Sequence, residues 1–308
     1  MIYINNVVKL DNNLIISQVK SPLQRVAAIH DLSGFGKASL TVVIPILSTM
    51  GIQVCPLPTA ILSTHSKFKG FFIKDLTTEM EEIIRHWKAL ELQFDAIYSG
   101  FLGSPAQIEV VKRFIHDFRN EDTLVVIDPV LGDDGRVYST MTQQMVEGMR
   151  TLAELADVIT PNLTELALLI GEPYKENLTE QEARQWMQKA LQLGPKTIIL
   201  TSVPQPGLPR RTAVLAYDKS DGRCWKVSCD YIPASFPGTG DAFASIITGS
   251  LLQGDSLPIA IDRAVQFISY AVRATFGHKY DPTEGLMLER VLGNLHAPVQ
   301  VSSYELLD

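Results

Sequence analysis

Gly238-Thr239-Gly240-Asp241 follows Pro237 and precedes an apolar run, Ala242-Phe243-Ala244-Ser245-Ile246-Ile247. Two glycines permit a sharp turn. The N–H groups of the helical turn that follows lack acceptors within the helix, so they converge on one place with the positive end of the helix dipole behind them. Such a turn can cradle an anion. A carboxylate at Asp241 would then be close enough to take a proton from a hydroxyl attacking a phosphorus held there. An ordinary Asp-capped helix start has the same spelling, so the companions of this turn must decide its meaning.

The first companion, Asp128-Pro129-Val130-Leu131-Gly132-Asp133, follows the apolar stretch Leu124 to Ile127. In open parallel sheets ligands gather beyond the carboxyl ends of strands, where an acid can hold a metal-bound nucleotide. A solvent-facing turn is the plainer alternative. The second, Thr160-Pro161-Asn162-Leu163-Thr164-Glu165, also follows an apolar run and opens a helix. Asn162 and Glu165 can orient water on Mg²⁺, or they can be an N-cap and a first-turn acid. The third comprises two loops, His30-Asp31-Leu32-Ser33-Gly34-Phe35-Gly36 and Ser63-Thr64-His65-Ser66-Lys67, each offering short polar groups suited to a small heterocycle or sugar. His65 alone reads more simply as a hydrogen-bonded structural histidine. Gly34-Phe35-Gly36-Lys37-Ala38-Ser39 is neither a Walker loop, which needs Gly and Ser/Thr where Asp31 and Ala38 stand, nor a dinucleotide fingerprint, which needs a third Gly at 39.

These groups need a scaffold that brings strand ends together. Apolar runs at Val26–Ile29, Val54–Leu57, Ala96–Tyr98, Leu124–Ile127, Val158–Thr160 and Thr197–Leu200 alternate with helical patterns, the signature of an α/β fold whose largely parallel sheet carries helices on both faces. Capping boxes are expected at Thr78–Glu81, Ser104–Gln107 and Thr179–Glu182. Thr212–Tyr217 and Trp225–Cys229, around Asp221-Gly222, predict an antiparallel hairpin at the sheet edge. Long helices are expected over 241–252 and 257–275. No repeat or linker divides residues 25–308, so one domain is expected, with 1–24 as an N-terminal extension.

Composition narrows the classes. With 46% hydrophobic residues the chain can bury a large core, and its net charge of −7 argues against nucleic acid and anionic membranes as partners. Three cysteines without a C-x-x-C pair, and no long apolar segment, make the cytoplasm the expected compartment.

Taken in order, the Gly-rich loop after the first strand, Ser63-Thr-His-Ser66, Asp128-Pro-Val-Leu-Gly-Asp133, Thr160-Pro-Asn-Leu-Thr-Glu165 and Gly238-Thr-Gly-Asp241 resemble the ribokinase superfamily, and within it the pyridoxal kinase branch, specifically the pyridoxamine kinase-like proteins of Firmicutes. The resemblance spans residues 25 to about 280. It implies a three-layer α/β/α fold, a homodimer, and transfer of the ATP γ-phosphoryl to the 5′-hydroxymethyl group of a B6 vitamer. It further implies Asp241 as base with Gly238, Thr239 and Gly240 as anion hole. The nucleotide falls to Asp128, Thr160, Asn162, Glu165 and Thr201, and Mg²⁺ to Asp128 and Glu165. Substrate falls to Asp31, Ser33, His65, Ser66 and Asp241, with a monovalent cation such as K⁺ as a further cofactor. Lys67-Phe68-Lys69 departs from the uncharged turn expected there. The rivals are a hydroxymethylpyrimidine kinase, which usually has Cys where Asp241 stands, another small-molecule kinase of the superfamily, and a non-catalytic vitamer-binding protein.

Overall fold

The computed structural model describes residues 21–205, 207–208, 210–299 and 303–307. The expectation for residues 1–24 falls almost wholly outside them. Strands β1 (Arg25–Phe35), β2 (Gln53–Thr64), β4 (Ala96–Ser99), β5 (Leu124–Ile127), β8 (Val158–Ile159) and β9 (Thr197–Pro204) are parallel neighbours in the order β9-β8-β5-β4-β1-β2. Antiparallel strands extend both sides: β3 (Ile73–Asp75) beyond β2, and β10 (Arg211–Asp218), β11 (Cys224–Asp230) and β12 (Tyr304–Leu307) beyond β9. The hairpin β10–β11 forms as expected, but it is not the edge, because Tyr304–Leu307 pairs along Cys224–Val227 and covers it. A small hairpin, β6 (Gly132–Asp133) and β7 (Arg136–Val137), stands apart from the sheet.

Alternation along the strands explains the layers. Ala27 and Ile29 face one core with Val125, Ile127, Ile198 and Leu200, while Val26, Ala28, Val126 and Ile199 face the other. Helices α2 (Thr77–Ala89), α3 (Pro105–Phe118), α4 (Gln143–Ala153), α5 (Leu163–Ile170) and α6 (Glu180–Leu191) cover the first face. The second is covered by α1 (Leu40–Thr49), α7 (Thr239–Leu252), α8 (Leu257–Phe276) and the short α9 (Leu288–Val291). This is the expected three-layer α/β/α ribokinase-like arrangement. From β1 the chain passes through α1 on one face to β2, then through α2 on the other face to β4 on the opposite side of β1. The strand order therefore reverses between β1 and β4, and their carboxyl ends flank a crevice.

Of the three expected capping boxes, one forms complete. Thr179 and Glu182 form the reciprocal capping box. Ser104 caps α3 with Pro105 at the first turn, while the Gln107 side chain turns away to Gly103, Thr59, Asp75 and Thr77. The box expected at Thr78–Glu81 does not form: α2 starts two residues earlier, at Thr77, whose N–H is already accepted by Asp75 Oδ1 at 2.8 Å.

Candidate active site

Gly238, the N-cap of α7, has φ 80°, in the left-handed region that only glycine enters without strain. A Cβ there would also lie 2.5 Å from the Lys37 carbonyl oxygen, so this turn closes only with glycine. Gly240 is different: a Cβ on it would meet nothing within 4 Å. Open space therefore lies in front of the first turn of α7, where a phosphoryl group would meet the unpaired N–H groups.

Asp241 sits in that turn with 15% of its side chain exposed, open enough for a substrate to reach. Its Oδ2 accepts the Ser39 N–H at 2.8 Å. Burial raises its pKa to about 6, against the opposing Ser39 hydrogen bond and with help from the Asp31 charge. Asp128, following β5, is buried and pushed up to about 7, first by desolvation and then by the charge of Asp241; the Thr160 hydroxyl, 3.2 Å from Oδ1, works the other way. Glu165 is also held well above the usual carboxylate range by burial and by Asp128.

Both readings of Asn162 and Glu165 can now be weighed. Asn162 Oδ1 accepts the Glu165 N–H and Glu165 Oε2 accepts the Asn162 N–H, a complete capping box for α5. The same side chains reach further: Glu165 Oε1 accepts the Leu131 N–H, and Asn162 Nδ2 donates to the Gly132 carbonyl. They therefore fasten the loop after Asp128 to the start of α5. Thr201 lies beside them in β9, bridged to Asn162.

On the substrate side, a register shift between β1 and β2 falls between His30 and Leu32, the kind of irregularity that re-aims side chains beside active sites. Asp31, at that shift, is buried. Its Oδ2 accepts the Ser33 hydroxyl at 3.2 Å and its Oδ1 accepts the Ser39 hydroxyl. His65 spends both nitrogens on structure, with Nε2 at 2.7 Å from the Thr283 carbonyl and Nδ1 accepting the Lys67 N–H at 3.3 Å. Ser66 lies exposed in the next turn and joins none of this network. Lys67 lines a cleft of about 460 Å³ with Asp133, Asp134, Arg136, Val137, Tyr138 and Ser235, and its Nζ stands 3.2 Å from the Ser235 hydroxyl. Tyr138 links this cleft to the acids: burial first, then the charges of Glu165, Asp133, Asp128 and Asp241, raise its pKa.

Three residues escape a reading by motif. Ser39 has φ 52° and Ser202, next to Thr201, has φ 58°; non-glycine residues in that region mark places where surrounding structure holds the backbone. Composition carries no trace of either. His30 was legible only as a neighbour of Asp31, although its ring is fully buried 4.0 Å from Asp241 Oδ1.

A family model described as phosphomethylpyrimidine kinase matches residues 49–284. The chain belongs to the phosphomethylpyrimidine kinase family. A family protein of Bacteroides thetaiotaomicron, solved in an orthorhombic form with pyridoxal, is 57% identical, covers 92% of this chain and 100% of its own, and superposes with a TM-score of 0.90. The pyridoxal kinase of Lactobacillus plantarum is 31% identical over 89% of this chain and 97% of its own, with a TM-score of 0.81. The pyridoxal kinase of Pasteurella multocida is 31% identical, over 68% of this chain and 74% of its own length. The resemblance to the pyridoxal kinase branch of the ribokinase superfamily is thus borne out, and the phosphotransferase class with it.

Proposed function

We propose that the chain phosphorylates the 5′-hydroxymethyl group of a B6 vitamer with ATP, returning pyridoxal, pyridoxamine or pyridoxine to the phosphorylated pool. The observation that carries this is the pairing of Asp241, mostly buried but still reachable at the α7 N-terminus with a pKa near 6, with the free space beside Gly240. The carboxylate is ionised at neutral pH yet basic enough to take the hydroxyl proton, while the first-turn N–H groups meet the charge that develops on the phosphoryl oxygens. The likeness to a protein crystallised with pyridoxal supports a vitamer as the hydroxyl donor.

Mg²⁺ fits the donors present: Asp128 and Glu165 are hard carboxylate oxygens whose mutual repulsion in a desolvated site a cation would relieve. Among the described residues no three metal-ligating side chains converge, which accords with an ion held largely by nucleotide phosphates and water. When bound, it would neutralise phosphate charge. Asp128 would hold it, and Glu165 would steady the Asp128–Gly132 loop beside it. K⁺ joins the proposal by resemblance alone. The same reading takes residues 25–308 as one kinase domain, and it takes exposed Phe35, Ile61, Phe72 and Ile73 near the β3 edge as the face that meets a second copy.

A second reading, phosphorylation of a hydroxymethylpyrimidine, is favoured by the description of the matching family model. ATP consumption measured with pyridoxal, pyridoxamine, pyridoxine and hydroxymethylpyrimidine separates the two. The highest kcat/KM is expected with a vitamer; the highest with the pyrimidine replaces the first reading by the second. Vitamer binding without ATP consumption would make the chain a non-catalytic binding protein.

A further inference from the structure

His30 is fully buried in β1, and among the described residues neither ring nitrogen has a hydrogen-bond partner. Leaving polar atoms unpaired in an interior is costly, so such a group calls for a reason. Its ring packs edge-on against Tyr98, with centroids 4.4 Å apart. On the other side lies the backbone of Gly100, where a Cβ would fall 2.3 Å from Nδ1. The ring is therefore held between Tyr98 of β4 and Gly100 just beyond its end, with Nδ1 4.0 Å from Asp241 Oδ1. The Tyr98 hydroxyl in turn reaches the Asp241 carbonyl oxygen at 3.4 Å.

The gap is too long for a direct hydrogen bond and short enough to close when substrate settles on the carboxylate, as catalytic hydrogen bonds often do. Burial keeps the imidazole neutral, with its pKa lowered to about 3, so the ring offers one N–H without adding a charge. The two carboxylate oxygens are otherwise treated unequally: Oδ2 is fixed by the Ser39 N–H, while among the described residues Oδ1 accepts no hydrogen bond and faces His30.

We propose that His30 is a positioning residue for Asp241: its Nδ1–H engages Oδ1 in the loaded enzyme, so that the carboxylate, held at both oxygens, faces the vitamer hydroxyl in one orientation. This rests on the kinase reading above. It predicts a loss confined to turnover. His30→Phe keeps the ring between Tyr98 and Gly100 and removes the donor, so kcat is expected to fall about 10- to 100-fold with both KM values within about threefold. Its melting temperature should be no lower than that of the wild type, because two unpaired nitrogens are gone. His30→Gln, with an N–H at similar reach, should recover most of the loss.

A His30→Phe enzyme that turns over at the wild-type rate overturns the proposal, and so does a loss that Gln fails to recover. Proton-detected ¹⁵N spectra of the ring in the wild-type protein give an answer that does not depend on how the Phe variant folds. With vitamer and a non-hydrolysable ATP analogue bound, the resonance that His30→Gln removes should show a protonated Nδ1 shifted downfield. An unprotonated Nδ1 there refutes the assignment. A wild-type enzyme inert on every vitamer would instead defeat the kinase reading, an outcome distinguishable from both.

Discussion

Ser39 joins two acids of the candidate site: its backbone N–H holds Asp241 Oδ2 at 2.8 Å while its hydroxyl holds Asp31 Oδ1. It does so from a backbone at φ 52°, so the bridge is imposed by its surroundings and not by the residue's own preference. Ser39→Ala keeps the first bond and removes the second. Steady-state kinetics should show KM for the vitamer raised by about 5- to 20-fold and kcat within about threefold. A loss in kcat alone would detach Asp31 from substrate.

Asp241→Asn preserves shape and removes the base. Turnover should drop by roughly 10² to 10⁴-fold with nucleotide affinity nearly unchanged, measured by kinetics and by titration of ADP. Comparable turnover would sink the assignment of this residue.

The raised carboxyls make stability depend on pH. For Asp128, at about 7, and Asp241, at about 6, the folded value lies above the ordinary 3.8. Their stabilising contribution is complete below the ordinary value and is lost as pH rises through the folded ones. His30, lowered to about 3, slopes the opposite way between its folded and ordinary values, so the wild-type curve alone mixes the two. Comparison with Asp128→Asn separates them: without nucleotide or Mg²⁺, the variant's advantage in melting temperature should widen between pH 5 and pH 7.5. A constant difference would mean that Asp128 titrates normally.

Glu165 has two jobs, which substitutions can part. Glu165→Gln retains an oxygen for the Asn162 N–H, whereas Glu165→Ala leaves the Asn162 cap but loses this reciprocal half of the capping box, a loss of about 1 kcal/mol. Both variants, and Asp128→Ala, should raise the Mg²⁺ concentration for half-maximal activity, but only Glu165→Ala should also lower the melting temperature by the cap's share. An unchanged Mg²⁺ titration would leave Glu165 a capping residue and nothing more.

Lys67 is exposed in the turn after β2 and also lines the cleft, with its ammonium on Ser235 and its field on Asp133. A cation there disfavours the amine of pyridoxamine. Lys67→Gly should move the pyridoxamine-to-pyridoxal ratio of kcat/KM upward by as much as about tenfold, less at high salt. A ratio indifferent to both substitution and salt would remove Lys67 from specificity.

What the sequence disclosed, and what it hid, follows from how each feature is encoded. Asp128, Thr160 and Gly238 were readable because strand ends and helix starts are written in consecutive residues. The edge of the sheet was misjudged because β12 comes from some 75 residues beyond its partner β11, and nothing local in Trp225–Cys229 signals a further neighbour. The capping box at Thr78 failed for a like reason: Asp75, tied to Gln107 from another element, reached Thr77 first. Ser39 and Ser202 were invisible because an unusual φ imposed by tertiary structure leaves no compositional mark.

The two helix layers divide the chemistry. Asp241 hangs from α7 on one face, beside Ser39 at the start of α1, whereas Glu165 hangs from α5 on the other, and the sheet carries Asp31 and Asp128 between them. Under the proposed function, drift around Ser39 and Asp31 can revise which alcohol is accepted while selection holds the Gly238–Asp241 turn and the α5 layer to the same phosphoryl chemistry. In such a scaffold a lineage can change its diet of substrates without relearning how to spend ATP.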